Sequence, residues 1–114
     1  MVQRSRISGM NPLWVLIGVN VVIFITTLID RQGVIFDRFA LVPALIGQQP
    51  WTLLTYMFLH AGWYHIIFNM LTLYFFGTFT IALVGETAFL VTLVLILLVV
   101  ALIATVLSPP LPLA

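Results

Sequence analysis

The chain has 114 residues, 63% of them hydrophobic and 6% charged, with a net charge of +1 and a mean hydropathy of +1.26. Four arginines and no lysine give nucleic-acid binding almost no electrostatic footing, and the absence of cysteine excludes disulfides, thiolate metal sites and a cysteine nucleophile. The composition is that of an integral membrane protein whose solvent is lipid, and Arg4, Arg6, Asp30, Arg31, Asp37, Arg38 and Glu86 all fall where that reading expects water.

Three apolar segments are long enough to cross a hydrocarbon layer of about 30 Å, which takes about 20 helical residues. The first runs from about Pro12 to Ile29, with Pro12 suited to an opening helical turn. Arg4 and Arg6 before an apolar run also fit a signal peptide. The run exceeds a usual signal core, however, and Thr26 to Asp30 offers no small-x-small cleavage site, so an uncleaved helix is expected.

Residues 30–62 connect this helix to the next. The stretch from Asp30 to Pro50 mixes charges with Gly33, Pro43, Gly47 and Pro50, and is too long for a simple turn. Its apolar groups, Val34 to Phe36 and Phe39 to Val42, predict a partly helical loop lying on the bilayer surface. A single helix from Trp51 to Val84 would reach about 50 Å at 1.5 Å per residue, so the chain has to break, and Ala61-Gly62 is the expected place. The second span is then 63–83, with Trp51, Tyr56, Trp63 and Tyr64 near one interface as an aromatic belt. Gly85-Glu86 is read as a short polar turn, and 87–107 is a third, almost purely aliphatic span ended by Ser108, Pro109 and Pro110. The predicted fold class is all-α, a polytopic membrane protein with three transmembrane helices in one partial domain over 1–114. Arginines are equally numerous before the first helix and in the first loop, so charge does not set the orientation.

The second span holds the chemistry. His65 and Asn69 are four apart, which puts them on one helical face, about 3 and 9 Å along the axis from Trp63. Polar side chains are costly in lipid, so the two are expected to face the interior of the packing and converge. Two readings of the pair stand side by side. Hydrogen-bonding side chains commonly glue membrane helices together, and donors aimed at one point in a dry site also make an oxyanion hole. His60 and His65, five apart, would diverge by about 140° on a continuous helix, which argues against a two-histidine metal pair, and no cofactor is expected. Asn20 is read as an interhelical hydrogen-bonding residue, and Gly18 and Gly77 as points of close helix approach.

Segment 51–77 resembles the second-helix signature of the rhomboid intramembrane serine proteases. The resemblance rests on Trp51 in the first loop, His60 nine residues later, and the His65-x-x-x-Asn69 pair followed by aromatic residues and Gly77. Weaker similarity covers Asn11 to Trp14, Asn20-Val21, and Gly85 to Phe89. The resemblance implies the front half of a six-helix bundle, a multi-pass protein of a prokaryotic plasma membrane with a cytoplasmic N-terminus, and transmembrane proteins as substrates. It implies that His65 and Asn69 stabilise an oxyanion and that His60 supports them.

Two departures matter. Where many members carry Trp-Arg, this chain has Trp51-Thr52, and a change of Thr52 to arginine, remote from the donors, is expected to have little effect on rate. The family's serine, in a Gly-x-Ser-Gly motif, and its second-half histidine base have no match, since the serines here are Ser5, Ser8 and Ser108. The expectation is an N-terminal part of an intramembrane endopeptidase that works with a missing C-terminal half. The alternative is a non-catalytic rhomboid-like protein that binds transmembrane helices.

Overall fold

A computed structural model describes residues 11–108, so Arg4, Arg6, Ser5, Ser8 and the prolines from Pro109 onward lie outside the described residues. The described chain is helical without strands, and three of its helices are long and apolar enough to cross a membrane. In lipid this is the economical solution, because a helix satisfies its backbone hydrogen bonds internally.

Helix α1 spans Pro12–Ile29. Asn11 caps it, its Oδ1 accepting the Leu13 N–H at 2.9 Å, and Pro12 opens the first turn. Asp30 ends α1 and starts the loop, its Oδ2 accepting the Ile35 N–H at 2.8 Å. Gly33 sits between them at φ 69°, a left-handed conformation that favours glycine.

The loop carries α2 (Val34–Phe39), a 3₁₀ turn at Pro43–Leu45, the short α3 (Thr52–Thr55) and a second 3₁₀ turn at Tyr56–Phe58. Side chains staple it to itself. Trp51 Nε1 donates to the Arg38 carbonyl at 2.7 Å, and Thr55 Oγ1 to the Phe39 carbonyl at 2.8 Å. Tyr56 does not act as a belt residue alone, because its hydroxyl donates to the carbonyl of Leu97 in the third long helix. Thr52 is 1% exposed and donates to the Gln49 carbonyl at 2.8 Å. The loop is closed around a threonine, so arginine there would force a long cation into a filled space and cost stability, a cost separate from the expected indifference of rate.

Helices α4 (Trp63–Val84) and α5 (Glu86–Leu107) are about 33 Å long at 1.5 Å per residue, enough for the hydrocarbon layer. One residue separates them. Gly85 has φ 89° and ψ 170°, a conformation essentially restricted to glycine, and this allows the sharp reversal. Glu86 then lies in the first turn of α5, where a carboxylate complements the helix dipole. It is buried at 4% exposure, so it is not the water-facing turn residue that composition suggested.

Helix α4 packs against both α1 and α5 on the face that carries Gly77, while α3 and the Pro43–Leu45 turn lie along α5 and the Tyr56–Phe58 turn lies along α1. The core is Leu13, Ile81 and Phe89, lined by Leu16, Ile17, Leu73, Leu90 and Leu93. Gly77 is buried where these side chains meet, and a Cβ built there would stand 2.7 Å from Leu13 Cδ1. Gly18 differs, since nothing approaches its Cβ position within 4 Å, so its expected role in close packing is not met among the described residues.

With three spans, the loop after α1 and the α4–α5 turn belong on opposite sides of the bilayer. Cysteines placed singly at Gln48 and Val84, the latter exposed beside the turn, are therefore expected to react with an impermeant thiol reagent from opposite faces of sealed vesicles. Labelling of both from one side would contradict the span assignment.

Candidate functional site

The polar cluster forms where the loop enters α4. Leu59 to Gly62 are non-helical, and α4 begins at Trp63. His60 therefore does not belong to the helical wheel that carries His65. Instead of diverging, the two imidazoles meet edge to face, with ring centroids 5.0 Å apart and planes at 70°. The contact is hidden when the two histidines are compared on a continuous helix, a comparison that does not apply once His60 lies in the loop. The break expected at Ala61-Gly62 was the signal that could have found it.

His65 is exposed, and its Nδ1 accepts the Ala61 N–H at 3.4 Å. An acceptor nitrogen carries no proton in the neutral ring, so this bond leaves Nε2–H as a donor. Asn69 is also exposed, and its Nδ2 donates to the His65 carbonyl one turn earlier at 2.7 Å. A primary amide has two N–H donors, so one is left over. The shared face holds, but the expectation that this pair turns into the interior of the packing is corrected: both side chains are exposed, with Asn69 also at the edge of the cavity that His60 borders. The reason is visible in α4, whose buried residues Ile66, Gly77 and Ile81 occupy a different face.

His60, by contrast, is buried at 5% exposure. It borders a cavity of about 240 Å³ that also has Asn20, Asn69, Thr72, Met57 and Leu97 in its walls. Asn20 is buried at 4% and donates through Nδ2 to the Leu16 carbonyl at 2.7 Å. That bond stays within α1, so the interhelical role expected for Asn20 is not seen. Asn20 Oδ1 and His60 Nδ1 are buried without a hydrogen-bond partner. Among the described residues, no group of three or more His, Asp or Glu side chains is placed to hold a metal ion.

Burial pushes the His60 pKa below its ordinary value of 6.5, helped by the neighbouring His65 and opposed by the Phe58 backbone. The folded chain thus binds this proton less readily than the unfolded chain. His60 is expected to stabilise the fold above pH about 6.5, with stability falling as pH drops through that value toward the lowered one. An NMR titration of the His60 ring beside thermal melts checks this; a midpoint above 6.5 would contradict it.

Comparison with known families supplies an independent line. The family model described as the Rhomboid domain matches residues 47–114, which takes in α3, His60, the whole of α4 with His65 and Asn69, and α5. No curated protein and no solved structure matches the chain. The matched segment covers more than half of the 114 residues and contains the entire polar cluster. The chain belongs to the rhomboid family.

Proposed function

We propose that this chain provides the oxyanion-stabilising part of an intramembrane serine endopeptidase that cuts transmembrane proteins. The observation that carries the reading is the pair of spare donors on one face of α4, His65 Nε2–H and the second amide N–H of Asn69. Donors fixed in advance near a developing negative charge lower the barrier to carbonyl attack, the more so where water is scarce. Their exposure departs from the expected interior position, so the proposal requires further protein to cover the pair and keep the site dry. His60 packs against His65 and fixes its ring, a supporting role.

Chemistry by this route also needs a nucleophile and a base. The sequence holds no Gly-x-Ser-Gly, and Ser108, the serine within the described residues, donates its hydroxyl to the Ala104 carbonyl at 2.6 Å. We assign nucleophile and base to a second half of the rhomboid bundle, packed on the α4 face that presents His65 and Asn69. By family analogy the amino terminus is cytoplasmic, in a prokaryotic plasma membrane, and loop 30–62 is on the far side. The second reading is a non-catalytic rhomboid that binds membrane helices.

The test is reconstitution. The 114-residue chain alone is expected to leave a model transmembrane substrate intact, and joining it to a rhomboid half that carries Gly-x-Ser-Gly and the base is expected to restore cleavage. Cleavage by the chain alone that survives replacement of Ser5, Ser8 and Ser108 would contradict the mechanism. A joined, folded protein without activity would favour the binding reading.

A further inference from the structure

Asn20 stands in the middle of α1 among Val19, Val21 and Val22, where a primary amide is expensive. Half of it is satisfied: Nδ2 donates to the Leu16 carbonyl. A carbonyl can only accept, so the amide nitrogen has to face Leu16, and Oδ1 is directed the other way. There it meets no protein donor. Across the same cavity, His60 Nδ1 is in the same position, buried and unpartnered. Orphaned polar atoms of this kind are uncommon in folded proteins, and ordered water is the usual partner.

We infer that the cavity between α1, the end of the loop and α4 is a water-binding site, in which ordered water joins Asn20 Oδ1 to His60 Nδ1. The space suffices, since a bound water needs about 10–15 Å³ of such volume and two to four polar partners, and the cavity offers about 240 Å³. The donors and acceptors also match. Water gives one hydrogen to Asn20 Oδ1 and the other to His60 Nδ1, and its oxygen accepts from the Thr72 hydroxyl in the cavity wall. The water ties α1 to His60 at the end of the loop. This inference does not depend on the catalytic reading.

The full chain in lipid nanodiscs, with its two histidines labelled with ¹³C and ¹⁵N, provides the test. The expected spectrum shows cross-relaxation from bound water to the His60 ring protons and a His60 Nδ1 signal typical of a hydrogen-bonded acceptor. Asn20→Leu should shift that Nδ1 signal toward the unbonded value while the His65 nitrogens keep theirs. Cross-relaxation from lipid methylenes in place of water, an unbonded Nδ1 in the wild type, or an Nδ1 signal indifferent to Asn20→Leu would each overturn the inference. The wild-type spectrum decides on the water by itself, so a variant that fails to fold does not block the test.

Discussion

Asn69→Ala is expected to lower the turnover of a catalytically complete rhomboid carrying this segment by about 10²–10³-fold, equivalent to about 2.7–4 kcal/mol of transition-state stabilisation. The size follows from removing one donor from a developing oxyanion. Unfolding does not compete as an explanation, because the Asn69 side chain is exposed and its hydrogen bond runs to its own helix. His65→Ala should cost a similar factor, since its Nε2–H serves the same charge. Effects of groups that act on one charge do not add, so the two losses should not multiply. KM for a transmembrane substrate should change much less than kcat, since the interaction strengthens in the transition state. A rate that stays within a few-fold of wild type in either single variant would remove that residue from the oxyanion site.

Gly77→Leu is expected to destabilise the three-helix packing by about 1–3 kcal/mol, the usual cost of overfilling a packed interior. A Cβ alone would already lie 2.7 Å from Leu13 Cδ1 and 3.2 and 3.3 Å from two ring atoms of Phe89. Leu13 and Phe89 are 2% and 1% exposed, so neither side chain has space to retreat, and α1 and α5 would both have to move from α4. Gly18→Leu is the matched control. It adds the same atoms to α1 where nothing stands within 4 Å, and should change stability by about 0.5 kcal/mol or less. Equal losses in the two variants, read from unfolding in mixed micelles or by tethered-trap measurements in bilayers, would show that the packing around Gly77 is not as described.

The sequence made the long helices readable because length and apolarity are nearly sufficient in lipid, where a single apolar segment satisfies its backbone hydrogen bonds within itself only as a helix. The break before Trp63 was readable from the bilayer thickness. The loop's fastening was not, because its bonds join residues 13, 16 and 41 positions apart, as in Trp51 to Arg38, Thr55 to Phe39 and Tyr56 to Leu97. Periodicity carries no information at such separations. In the site, the spacing of His65 and Asn69 correctly put them on one face, yet could not say which face α4 buries. Both α1 and α5 meet α4 on the side of Gly77 and Ile81, and that choice left the polar pair open. The burial of Thr52 and Glu86 was likewise hidden, because short polar residues near turns read as solvent-facing until the neighbouring helices are placed.

The central claim is that His65 and Asn69 act together on one oxyanion, and the double variant His65→Ala/Asn69→Ala in a catalytically complete rhomboid tests it most directly. Measured beside both single variants on a transmembrane substrate, with folding checked by thermal unfolding, the double variant should remain folded and lose about as much turnover as the worse single variant, 10²-fold or more. Full turnover in the double variant would show that the oxyanion is stabilised elsewhere.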